Sequence, residues 1–149
     1  MDLVQLLKFT QEETERYFDL PDGDLLKTYG KNKWTVRQIL VHLADAEGVL
    51  QDRIKRVIAE PKQVIWAFHQ DLWCDKLDYE SFPLDISKAL YISNRKAIIY
   101  LAGKFYEEYG DKEFVHSQTG IRTLRDEFEK VATHNQGHLD HIRTALKTI

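Results

Sequence analysis

Four long stretches of this chain repeat their apolar residues with helical spacing, and its three prolines, Pro21, Pro61 and Pro83, all fall between them. Proline removes a backbone donor and clashes with the preceding turn, so prolines confined to the gaps mark helix boundaries. The first stretch, Asp2 to Phe18, places Leu3, Leu6, Leu7, Thr10, Tyr17 and Phe18 on one side and breaks at Leu20-Pro21-Asp22-Gly23. The second opens at Lys33-Trp34-Thr35, with Thr35 positioned to cap the first free amides. It carries Val36, Ile39, Leu40, Leu43, Leu50, Ile54, Val57 and Ile58 before Pro61. The third starts near Asp85 or Ser87, runs through Leu90, Ala97, Leu101 and Phe105, and ends at Tyr109-Gly110, a glycine suited to a C-terminal cap. The fourth begins at Arg122 or Thr123 and continues through Leu124, Phe128, Val131, His138, Ile142, Ala145 and Leu146.

Between the second and third helices, residues 62–82 carry Trp66, Phe68, Trp73, Tyr79 and Phe82 without a clean period. So many aromatics are costly to leave in water, which predicts an ordered connection that packs the open end of the bundle. Phe114-Val115-His116-Ser117 and Gly120 suggest an extended piece and a turn, but no alternating run is long enough to predict a sheet. The expectation is an all-α, up-and-down four-helix bundle, a single domain over residues 1–149, with a long ordered connection between helices two and three. A chain of 149 residues buries close to 70% of its unfolded surface and needs no staples.

The lone cysteine, Cys74, excludes an intrachain disulfide and any cysteine-rich zinc site, so metal chemistry would fall to the six histidines. A net charge of −3, with both signs dispersed, argues against nucleic acid as a partner. The basic group Arg53, Lys55 and Arg56 reads as the solvated outer face of its helix. The first residues lack the pattern of a signal peptide and no run approaches about 18 apolar residues, which suggests a cytoplasmic protein without a membrane partner.

Thr133-His134-Asn135-Gln136-Gly137-His138-Leu139-Asp140-His141 puts three histidines on one helix at spacings of four, three and seven, all on neighbouring faces. A helical wheel places His138 about 40° from the centre of the apolar face, and His134 and His141 at its edge. His42, in the second helix, also falls on the core boundary. If its flank meets the His134–His138 flank, three imidazoles converge and leave a fourth position open, the pattern of a catalytic divalent ion. Each histidine taken alone reads equally well as solvated or hydrogen-bonded, His138 to Asn135 for example.

The layout of Trp34-Thr35 followed by His42-Leu43-Ala44-Asp45-Ala46-Glu47, then Asp71-Leu72-Trp73, then His134-Asn135-Gln136-Gly137-His138 resembles the DinB-like family along nearly the whole chain. The resemblance implies a four-helix bundle, often a homodimer, with His42, His134 and His138 holding Zn²⁺ or Ni²⁺. It also implies metal-dependent transfer of a low-molecular-weight thiol to an electrophilic small molecule. The chain departs from the pattern at His141, where the family often has glutamine, and at His69, where related chains often show an acidic residue. His69 and Trp73 are therefore candidates to line the site, and His141 to serve as a pocket group or an alternative ligand.

Asn135 stands where an HExxH peptidase has its glutamate, and asparagine cannot take a proton from water. If water is the nucleophile, the candidate bases are Asp45, Glu47 and His141. A thiol substrate would need no such base, because a divalent ion favours the thiolate. The alternatives to thiol transfer are a metal-dependent hydrolase and a non-catalytic metal-binding bundle.

Overall fold

Three of the four long helices begin at a reciprocal cap. In the computed structural model, which describes residues 1–60 and 64–147, the side chains of Asp2, Thr35 and Thr123 each accept the amide three residues on. Gln5, Gln38 and Asp126 return the bond to the cap residue's own amide. Each such box satisfies two amides that a helix start leaves free. They launch α1 (Leu3–Tyr17), α3 (Val36–Ala59) and α6 (Leu124–Leu146). A one-turn α2 (Asp22–Leu25) follows α1, and α5 (Leu84–Tyr109) starts directly after Pro83. Pro61, the expected stop for the second helix, lies outside the described residues; α3 ends at Ala59.

The apolar faces pair at two levels. At one end Leu7, Leu50, Ile54, Ile98, Leu124 and Phe128 form a cluster; at the other Phe18, Leu40, Leu43, Tyr91, Ile142 and Ala145 do. Following each helix between these clusters gives its direction: α1 and α6 run one way, and α3 and α5 run the other. Helices α3 and α5 are therefore parallel neighbours, where a short loop would have made them antiparallel, and α1 sits diagonally opposite α3. The expected four-helix bundle is present, and strict up-and-down alternation gives way at the long connection. That connection returns the chain along the bundle from the end of α3 to the start of α5, and includes α4 (Gln70–Lys76).

A small sheet closes the end where α6 begins. Strand β1 (Val64–Ile65) pairs parallel with β2 (Glu113–His116), which turns back antiparallel into β3 (Gly120–Thr123). This corrects the expectation of no sheet. The pairing of β1 with β2 joins two residues to a segment some fifty positions away, a contact that local alternation cannot signal. Gly120 turns the hairpin at φ +81°, a conformation that disfavours side chains. Gly110 does end α5, but with a right-handed φ of −55°. Space explains it, because a Cβ there would lie 2.5 Å from both Arg125 Nη2 and the Tyr106 carbonyl oxygen.

Inside the bundle, Arg95 of α5 is 0% exposed and spends all five of its N–H donors. Nε and Nη2 clasp the Glu47 carboxylate of α3 at 3.0 and 2.5 Å. Nη1 donates to Leu7 O and Thr10 Oγ1 of α1, and Nη2 also to Asn135 Oδ1 of α6. Asn135 completes the web by donating to Thr14 Oγ1 and accepting from the Tyr91 hydroxyl. One cation thus ties all four helices. Breaking a buried pair leaves an uncompensated charge, so Glu47→Leu should lower the unfolding free energy by about 3–5 kcal/mol in urea denaturation. A loss below about 1 kcal/mol would show that the web carries little.

Candidate metal centre

His42 projects from the second turn of α3, while His134 and His138 project one turn apart from α6, which runs antiparallel to it. The three ring centroids form a nearly equilateral triangle with sides of 4.7, 4.8 and 4.9 Å, each pair of rings meeting edge to face. One nitrogen from each lies within 4.8 Å of the others. Nε2 of His42 and Nε2 of His134 are 2.9 Å apart. His42 is 0% exposed, deeper than the core boundary the helical wheel gave it, whereas His134 and His138 are half-buried.

Burial and mutual repulsion keep these rings neutral. Desolvation, then His134 and His138, pushes His42 down to about 2. Desolvation, then His138, Lys130 and Arg95, pushes His134 to about 3. Desolvation followed by His141 pushes His138 to about 4. Neutral imidazoles offer lone pairs without proton competition, the state a metal requires. Nδ1 of His42 and Nδ1 of His138 are buried with no hydrogen-bond partner, as expected where the site's occupants include more than protein atoms. This donor set fits a divalent ion, and among the described residues no fourth histidine, cysteine or carboxylate joins the cluster.

The other candidates take distinct places. Glu47 is committed to Arg95 and lies in the core network. Asp45 accepts the Tyr79 hydroxyl at 2.5 Å, and burial raises its pKa. His141 stacks flat on Tyr29, centroids 4.1 Å apart, and meets His138 edge-on at 5.4 Å. It is thus a neighbour of the triad. His69 is exposed and caps α4, its Nδ1 accepting the Leu72 amide. Trp73 is half-buried against Phe68, and Phe68 lies 6.1 Å from His42. Trp34 covers the other side, 5.0 Å from His42 and 6.3 Å from His138. Trp66 corrects the expectation that the connection's aromatics all pack the bundle, since it is 77% exposed. Asn135 points into the Arg95 web on the face of α6 away from His134, so it is absent from the site by orientation as well as by chemistry.

Sequence reasoning missed the Arg95 web and misplaced Arg53. Arg53 is only 4% exposed, turned inward with its Nη2 on the Trp66 carbonyl, while Lys55 and Arg56 are on the surface as expected. The available signal was its spacing: Leu50, Arg53, Ile54 and Val57 share one helical face.

A model of the DinB superfamily matches residues 6–142. The chain belongs to that superfamily. It is 30% identical to OB0413 of Oceanobacillus iheyensis, named as a candidate metal-dependent hydrolase, over 97% of this chain and 83% of that protein. A Bacillus cereus relative with the same kind of name is 28% identical over 93% of this chain and 79% of its own length. The structure superimposes on YfiT of Bacillus subtilis with a TM-score of 0.86 and 24% identity, covering 95% of this chain and 82% of that one. YfiT is described as a probable metal-dependent hydrolase with an unusual four-helix bundle topology. The likeness extends the fold, with its parallel α3 and α5, beyond this chain. No helix among the described residues is long and apolar enough to cross a membrane.

The depressed histidines set a pH window. A histidine whose folded pKa is lowered binds its proton in the unfolded state first. Its neutral form therefore costs nothing above about 6.5 and weakens the fold as pH falls below that value. The metal-free protein should melt at a lower temperature at pH 5 than at pH 7.5, with His42 alone accounting for about 2 kcal/mol. Calorimetry across that range checks it, and a His42→Leu variant should lose part of the acid sensitivity.

Proposed function

We propose that this chain is a metal-dependent hydrolase of a small molecule, with His42, His134 and His138 as ligands of Zn²⁺ or Ni²⁺. The observation that carries the reading is the convergence of three neutral imidazoles, His42 buried and His134 and His138 half-buried, with no fourth protein ligand among the described residues, the open arrangement of catalytic sites. The relatives named for metal-dependent hydrolysis support it. Thiol transfer, the first expectation, finds no support in those names, so the hydrolase alternative takes its place. Cys74 supplies no protein thiol either, because it is buried beside Val41 and Tyr79 and burial raises its pKa.

When bound, the ion would supply Lewis acidity and make water acidic near neutral pH. The chain's residues supply the rest. The three rings hold their geometry because α3 and α6 are fixed by the Arg95 web. Trp34 and Phe68 wall the site against bulk water. Of the three groups offered as proton acceptors, Glu47 is spent on Arg95 and Asp45 on Tyr79. His141 remains, its buried Nδ1 without a hydrogen-bond partner and its ring against His138.

Protein purified without a histidine tag should carry about one equivalent of divalent metal by elemental analysis. His138→Ala should weaken metal affinity on the order of 100-fold or more. A panel of esters, amides and lactones should reveal hydrolysis that a chelator abolishes and added Zn²⁺ or Ni²⁺ restores. Full stoichiometric metal in His138→Ala would overturn the ligand assignment. A thiolate-to-metal band from a Co²⁺-loaded protein on adding thiol, without hydrolysis of any panel member, would return the assignment to thiol transfer.

A further inference from the structure

Two arginines are buried in this bundle, and they differ in what they bind. Arg95 satisfies every donor it has, whereas Arg53 makes a single hydrogen bond, Nη2 to the Trp66 carbonyl oxygen, among the described residues. Its nearest counter-charge is Glu127 Oε2, 3.9 Å from Nη1 and beyond hydrogen-bonding reach. Glu127 is fully buried, with neither oxygen hydrogen-bonded, and Arg122 stands 3.5 Å from its Oε1. Four N–H donors of a 4%-exposed guanidinium therefore have no acceptor among the described residues.

Arg53 lines a cavity of about 240 Å³ shared with Phe68, His116, Lys130 and the metal-site residue His134. Lys130 is half-buried, and its ammonium has no hydrogen bond or ion pair among the described residues. It lies one helical turn before His134, so the two side chains project from the same face of α6. His116 Nδ1 accepts the amides of Gln118 and Thr119, which puts the proton of the neutral ring on Nε2 as a further donor. Arg53, Lys130 and Arg122 share the buried carboxylate of Glu127, while Asp52, the other carboxylate near Arg53, is paired with Arg56, so positive charge is in excess here. Their crowding shows in Lys130, whose pKa burial lowers, with Arg53 and Arg122 adding to the effect against Glu127.

We propose that this cavity is the substrate-binding subsite for an oxyanion group, a carboxylate or phosphoryl, held by Arg53 and Lys130 while the bond to be cleaved lies at the three histidines. The placement of that bond rests on the hydrolase reading; the anion subsite itself does not. A planar guanidinium matches such a group with paired hydrogen bonds, and desolvation makes each contact stronger than at the surface. The cavity, about 240 Å³, has room for a compact oxyanion group beside His134.

The test is isothermal titration of the purified, metal-loaded protein with succinate, inorganic phosphate and the uncharged succinamide, repeated with Lys130→Gln and Arg53→Gln. Succinate or phosphate should bind, succinamide should not, and Lys130→Gln should weaken the bound anion at least ~10-fold. The tighter of the two anions identifies the group. Because Arg53 is buried, its variant is read only if its melting temperature shows it folded; Lys130→Gln carries the decision. Equal affinity in wild type and Lys130→Gln would mean that the ion alone holds the anion, and would overturn the subsite, as would no binding of either anion. The two readings fail separately. Lys130-dependent anion binding without hydrolysis of any substrate removes the hydrolase and leaves the subsite, whereas hydrolysis of neutral esters with no anion binding does the reverse.

Discussion

The buried guanidinium of Arg95 is the contact on which the helix arrangement depends. It reaches α3 through Glu47, α1 through Leu7 and Thr10, and α6 through Asn135. An apolar core tolerates small slides of one helix on another, but this pattern of directed bonds is satisfied in a single register. Glu47 lies five residues after His42 and Asn135 one residue after His134. The web that fixes α3 against α6 therefore also fixes the distance across which the imidazoles meet.

Much of this was legible in the sequence. The four helices, the cap at Thr35, a fourth helix beginning at Arg122 or Thr123, and the shared face of His134 and His138 follow from the sequence pattern. His42 could be placed near the same point only by assuming how α3 meets α6, and the resemblance supplied that assumption. What spacing could not show is which polar residues turn inward. Glu47, Arg95 and Asn135 each sit in line with apolar neighbours, as Tyr91, Arg95, Ile98 and Ala102 illustrate. A charge in such a line is paired or misplaced, and only the tertiary structure says which. Arg53 was read as surface from its charged neighbours Lys55 and Arg56 although its spacing put it on the apolar face, and β1 escaped notice because two residues carry no period.

The division of labour between the two buried arginines follows from their acceptors. Arg95 meets a carboxylate at hydrogen-bonding distance and two side-chain oxygens, so its charge is neutralised and its role is structural. Arg53 meets a carboxylate too distant to bond, so its desolvation is only partly offset by the protein. A fold can carry such a group where a ligand completes it.

The parallel course of α3 and α5 has a consequence for how this scaffold can change. Helix α3 is 24 residues, about 36 Å long. The connection that must travel back along it holds about two dozen residues, ~80 Å if extended. The chain therefore has more than twice the length it needs, and the surplus coils into α4 and lays Phe68 and Trp73 beside the histidines. The Arg95 web that locks the bundle is distinct from the contacts that hold this connection, which is tied to α3 by Tyr79 on Asp45 and by Arg37 on the Glu80 and Phe82 carbonyls. The helices that carry the three imidazoles and the aromatic cover beside them are thus held by different contacts, so the scaffold separates how it stands from what covers its site.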